Sequence, residues 1–157
     1  MLRIYILAIG KLRHGPECEL LKHYLSQFDK VGRVSGLGPS KLVEIVDKKS
    51  GGQEIEAGLL RNAIPSSSTL CVLDERGRAM TSPEFATWIG RLRDGGIANL
   101  AMLIGGAGGI DSKLRSEADL VLSLGPMVWP HILVRVMLAE QIFRAASILA
   151  RKPYHRH

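Results

Sequence analysis

The chain has 157 residues, 46% of them apolar and 23% charged, with a formal net charge of +6. That length holds one ordinary core and excludes two comfortable ones, so a single domain over residues 1–157 is expected, and the composition excludes a disordered chain. A sequence isoelectric point of about 9.6 is the footprint of a protein that meets nucleic acid or another anionic surface, although many basic proteins bind no polyanion.

Residues 2–10, LRIYILAIG, form a near-continuous apolar strand of the kind buried inside a parallel sheet. The apolar run is too short for a signal-peptide core, and no run in the chain approaches the roughly 20 apolar residues that span a bilayer. A cytoplasmic protein without a membrane partner is expected. Residues 16–32 have helical spacing, with Pro16 at the start and Gly32 at the end. The stretch GRVSGLGPS (32–40) has the composition of a mobile loop. KLVEIVD alternates as a strand, QEIEAGLLRNAI returns to a helix, and STLCVLDER is a third strand.

The clearest helix is 82–96, with Ser82 as N-cap, Pro83 at the first helical position, Glu84 in the first turn and Gly95 as the stop. NLAMLIGG is the fourth strand, DSKLRSEA a short helix and DLVLSLG the fifth strand. Residues 129–150 form the last helix, and RKPYHRH is a polar tail. Strand and helix alternate throughout, which makes the fold α/β with a parallel sheet covered on both faces. Cys18 and Cys71 form no CxxC pair, and no His/Cys set has ligand spacing, so free thiols and no metal are expected.

The stretch LIGGAGGI (103–110) ends an apolar run with four glycines, yet both common phosphate motifs fail. A dinucleotide fingerprint belongs after the first strand with its own glycine spacing, and no Gly-Lys-Ser/Thr closes the loop as a Walker motif requires. Two readings stay open: a tight strand-to-helix turn, or bare backbone that approaches a ligand. Ligands of open α/β sheets collect at the carboxyl ends of strands. Here three such ends are irregular: VLDERG, IGGAGG and SLGPMVWPH. In the last of these, Leu124, Met127, Val128 and Trp129 supply an apolar wall that suits a flat heterocycle such as adenine, or equally a packed turn.

On the last helix, His131 and Arg135 share one face, while Glu140, Arg144 and Ser147 lie nearly opposite. Nearly everything between them is apolar, so the helix is largely buried. Glu140 and Arg144 have the spacing of an i,i+4 ion pair. His131 follows a proline at the helix start, where a ring serves as cap, core filler or catalytic group. The tail places Tyr154, His155, Arg156 and His157 together. Such an end either frays or stacks on a base and holds phosphate.

Taken in order, LDERG, LIGGAGG, PHILVRVMLAEQIFRA and the terminal PYHR resemble the small SPOUT-superfamily methyltransferases of the RlmH type. The resemblance runs over nearly the whole chain. It implies a C-terminal trefoil knot, a homodimer, S-adenosylmethionine as cofactor, and methylation of N3 of a pseudouridine in helix 69 of large-subunit ribosomal RNA in the 70S ribosome. Carried over by motif, the cofactor positions are Leu73, Gly105, Leu124, Gly125, Pro126, Met127, Val128 and Trp129. The family often has Ser or Thr in the fifth-strand loop where GPMV stands here, and often Tyr at the position of Phe143. For the transfer itself, His155 or His131 is expected to handle the N3 proton. Tyr154 and Arg156 would position the base, and Arg135 or Arg144 would touch phosphate or balance charge.

Overall fold

The computed structural model describes residues 1–156. Five strands, β1 (Leu2–Ile9), β2 (Leu37–Ile45), β3 (Ser68–Ala79), β4 (Asn99–Ile104) and β5 (Leu120–Ser123), form one sheet in the order β2-β1-β4-β3-β5. All four strand pairings are parallel. Every strand therefore ends at the same edge.

The helices are α1 (Pro16–Gly32), α2 (Gln53–Ala63), α3 (Ser82–Asp94), α4 (Ser112–Ser116) and α5 (His131–Leu149). Alternate side chains of β1 explain where they go. Ile4, Ile6 and Ala8 join Met102 and Cys71 on one face, under Phe28 of α1, Phe85 and Ile89 of α3, and Leu138 and Ile142 of α5. Leu7 and Ile9 join Leu103 and Val72 on the other face, under Leu60 of α2 and Leu114 of α4. Both faces are buried, which is why β1 reads as a continuous apolar run instead of alternating with polar residues. Cys71 and Cys18 are both free and buried, and burial pushes the Cys71 thiol far above its usual range.

Several boundaries differ from the sequence reading. Residues 32–40 are not a loop: a 3₁₀ turn covers Arg33–Ser35 and β2 begins at Leu37, which pairs with Leu2. Pro39 is tolerated there because β2 is an edge strand, where a missing N–H costs little. β3 runs on to Ala79, and after a shift in register Arg78 and Ala79 pair with Leu122 and Ser123 of β5. The cap of α3 is Thr81 and not Ser82. The Glu84 N–H donates to Thr81 Oγ1 at 3.2 Å and the Thr81 N–H donates to Glu84 Oε2 at 2.9 Å, a reciprocal capping box. Ser82 is left free to donate to Gln141 Oε1 at 2.7 Å, tying α3 to α5.

Candidate functional site

The carboxyl ends of β4 and β5 and the break in register within β3, at residues 73–76, enclose a cleft of about 570 Å³, within the ordinary range for small-molecule sites. Leu73 closes the β3 side, and the glycine loop after β4 forms the floor. The loop before α5 forms a wall in which Met127 is 70% and Val128 79% exposed. Apolar side chains left that open at the mouth of a cleft mark a surface that something else covers.

The floor is built from backbone. A Cβ on Gly105 would stand 2.7 Å from the Gly109 carbonyl oxygen and 2.8 Å from its carbon, so only glycine lets the chain double back there. Gly109 has φ +81° and donates its N–H to the Gly106 carbonyl at 3.0 Å. The side-chain amide of Gln53, from the start of α2, donates to the Gly108 carbonyl and holds the loop from outside.

His131 opens α5 and lines the cleft, and its Nδ1 is buried without a hydrogen-bond partner. That nitrogen has no surface open to the cleft, so a bound molecule would meet the rest of the ring. Burial, and then the charge of Arg135, hold its pKa below the ordinary 6.5. The sign follows from linkage: below about 6.5 the unfolded chain binds the proton that the folded ring resists, so acid weakens the fold there and stability rises with pH through that window. An NMR titration of the His131 ring is expected to show a midpoint under 6.5. A midpoint at or above it would contradict this account.

One turn on, Arg135 is fully buried. Its guanidinium donates to the carbonyls of Ile9 at 2.5 Å and Gly10 at 2.9 Å and pairs with Glu44 Oε2 at 3.0 Å. Phosphate cannot reach it in this arrangement.

The tail folds back onto the other stripe of α5. Arg144 pairs with Glu140 at 2.7 Å, Tyr154 Oη donates to the same carboxylate oxygen at 3.0 Å, and Arg144 meets His155 Nδ1 at 3.1 Å. The Tyr154 ring packs against Phe143 with centroids 4.4 Å apart, under the Arg144 guanidinium at 4.7 Å. Burial and the Glu140 hydrogen bond push the Tyr154 phenol up to about 12, so it stays a donor at neutral pH. This cluster borders a second groove of about 560 Å³, lined by Glu140 and Met137, which shares only Leu122, Leu124 and Gly125 with the cleft.

Comparison with known proteins identifies the family. A family model described as "Predicted SPOUT methyltransferase" matches residues 2–155. The chain belongs to the SPOUT methyltransferase family. Among SPOUT relatives, a Roseobacter denitrificans protein named Ribosomal RNA large subunit methyltransferase H is 58% identical over 156 residues, 99% of this chain and 100% of the relative. A protein of the same name from Ruegeria pomeroyi is 57% identical over 155 residues, 99% of each chain. A probable methyltransferase from Bordetella pertussis Tohama I shares the fold at a TM-score of 0.52 and 14% identity, over 92% of this chain and 96% of that one.

For this SPOUT methyltransferase, the eight expected cofactor positions divide clearly. Leu73, Gly105, Leu124, Gly125, Met127, Val128 and Trp129 line the cleft, whereas Pro126 is exposed outside its lining. Of the expected catalytic residues, His131 alone lines it, Arg144, Tyr154 and His155 gather in the tail cluster, and Arg156 is exposed. Sequence reasoning missed Gln53, Asp74 and Arg76, which also line the cleft. Asp74 and Arg76 lie in VLDERG, whose irregular composition was the available signal, although the segment is a break in register inside β3 and not the strand end expected. Gln53 had none.

Proposed function

We propose that this chain, acting as one domain over residues 1–157, transfers the methyl group of S-adenosylmethionine to N3 of a pseudouridine in helix 69 of large-subunit ribosomal RNA, on the assembled 70S ribosome in the cytoplasm. The observation that carries the reading is the convergence on one cleft of the break within β3, the glycine loop after β4 and the loop after β5. The relatives' printed name supplies the class of RNA, and the pseudouridine rests on the motif resemblance.

The cofactor supplies a methyl group made electrophilic by its sulfonium. Leu73, Gly105, Leu124, Gly125, Met127, Val128 and Trp129 would hold it, largely through backbone and apolar walls. The protein's part is alignment and exclusion of water. Transfer forms the N3–methyl bond, breaks the sulfur–methyl bond and releases the N3 proton, which passes to one of two imidazoles. His131 stands in the cleft, where burial keeps its ring neutral and so free to accept a proton; His155 is in the tail, held by Arg144. Tyr154 and Arg156 position the base, and Arg144, fixed by Glu140, balances phosphate charge.

A homodimer belongs to the same proposal. The groove beside the tail is lined by Leu20, Tyr24, Phe85 and Met137, and Leu20 is 44% exposed. Sedimentation should return twice the chain mass, and Leu20→Glu should return the monomer.

Gly105→Ala tests the cleft. The new Cβ would strike backbone, so we expect about 1–3 kcal/mol of lost stability and loss of cofactor binding by equilibrium dialysis. Gly108→Ala, whose Cβ would meet nothing nearer than 3.8 Å, should leave both close to wild type. Equal behaviour of the two variants would count against the cleft. The reaction is tested by transfer of labelled methyl to 70S ribosomes with and without pseudouridine in helix 69. Transfer only to the modified particle is expected. No transfer to either, from protein that binds cofactor, would move the substrate to another RNA.

A further inference from the structure

We infer that the β1–α1 loop, residues 10–15, is a contact for RNA phosphate beside the cleft, held in shape by the buried Arg135–Glu44 pair. The inference rests on the RNA substrate proposed above and names the surface that meets it.

The loop sequence is GKLRHG. Leu12 turns inward and packs with Leu21, Val136 and Ala139, while Lys11, Arg13 and His14 are exposed. Among the described residues none of these three has an ion-pair or hydrogen-bond partner in the chain. The backbone between them is tied down. Glu44 Oε2 accepts from the Leu12 N–H at 2.6 Å and from Arg135 at 3.0 Å, Arg135 also holds the Gly10 carbonyl at 2.9 Å, and Gly10 donates to Ile45 at 2.7 Å. Arginine is almost never fully buried unless paired, and here its partners are the carboxylate and carbonyl that hold this loop. The anchor fixes the backbone that carries two cations and an imidazole, so on binding an anion only their side chains remain to be ordered.

Position supports the same conclusion. β1 pairs with β4, and parallel pairing brings its carboxyl end to the edge where the cleft opens. Ile9 lies close enough to the glycine loop that a Cβ on Gly106 would stand 3.3 Å from its Cγ2. Arg135, which grips this loop, is one helical turn from His131 in the cleft. A nucleotide entering the cleft therefore brings its neighbouring phosphates past Lys11 and Arg13. Glu17 and Glu19 of α1 are the nearest carboxylates in sequence, and Glu44 is already neutralised by Arg135. With Leu12 turned in, the loop offers no exposed large apolar side chain for a lipid surface. A diester backbone read by charge alone is the partner that fits.

Two double variants test this. Lys11→Ala/Arg13→Ala removes two charges from the loop. Lys30→Ala/Arg33→Ala removes two exposed charges from the end of α1 and the turn before β2, at the opposite edge of the sheet. Binding of a large-subunit rRNA fragment is measured against KCl concentration, alongside cofactor binding. The loop pair should lose about tenfold in RNA affinity and about two from the slope of log K against log salt. The control pair should lose much less, and both should bind cofactor as wild type does. Equal losses in the two pairs, or no loss in the loop pair, would overturn the inference. The readout does not depend on methylation, so wild-type protein that binds RNA yet methylates no ribosome would sink the proposed reaction and still leave the loop to be judged by its own slope.

Discussion

Arg135→Met should destabilise the fold by about 3 kcal/mol, toward the lower end of what removing one partner of a buried ion pair costs. The arginine side chain is 1% exposed and Glu44 18%, so the carboxylate it leaves behind keeps some contact with water, which limits the penalty. The carbonyls of Ile9 and Gly10 lose their donor as well, and each unsatisfied buried acceptor adds to the loss. Methionine fills most of the vacated volume, so packing loss is small and the cost is chiefly electrostatic. Urea unfolding followed by Trp fluorescence measures it. Adding Glu44→Gln should recover part of the loss, because the stranded charge is gone. A single variant within about 1 kcal/mol of wild type, a value ordinary for surface changes, would mean the pair does not hold the strand ends together. His131 provides a second readout: losing the neighbouring charge should raise its titration midpoint, while burial, the larger cause, keeps it below the ordinary value.

The role of Arg135 shows where the sequence stops being informative. Helical periodicity correctly places it on one face with His131, and its charge then invites a phosphate. Its actual partners are Glu44 and Gly10, 91 and 125 residues away, and no local pattern reports a contact at that separation. The strands and helices were legible because burial on both faces of the sheet leaves its mark on every segment. The start of β2 was not, because Gly36, Gly38 and Pro39 have the composition of a turn and only pairing with β1 makes the segment a strand. At α3 the information was present: Thr81 and Glu84 have capping-box spacing, which singles out Thr81 over its neighbour Ser82. The cleft itself was legible through unusual residues after β4 and β5 and in VLDERG, which the structure makes a break inside β3 and not its end, since glycine and proline are placed by backbone geometry that a sequence displays directly. Glu140 and Arg144 formed the ordinary helix pair their spacing gave, but the tail that closes over them could not be seen from either segment alone.

Deletion of residues 153–157 should abolish methyl transfer while leaving cofactor affinity within a few-fold of wild type. Tyr154 and His155 converge on Glu140 and Arg144 rather than on the cleft, and among the described residues none of the tail lines the space where the cofactor would sit. Binding should survive for that reason. Transfer should not, because the deletion removes one candidate acceptor for the N3 proton together with the aromatic ring and cation that would hold the base. A positioned base and a proton acceptor are each worth orders of magnitude in rate, so a loss of about a thousandfold or more is expected. Stability should fall by only about 1 kcal/mol, since Tyr154 is 36% exposed and its single hydrogen bond is partly replaceable by water. Two point variants separate the contributions. Tyr154→Phe keeps the ring on Phe143 and loses the donor to Glu140, so turnover should fall modestly if the ring positions the base and the hydroxyl only orders the tail. His155→Gln keeps a polar partner for Arg144 and removes the titratable proton site. If His155 takes the proton, this variant should lose turnover at every pH; if His131 takes it, His155→Gln should retain most activity and His131→Gln should lose it. Full turnover by the truncated chain would remove the tail from the reaction altogether and leave the cleft residues to carry it.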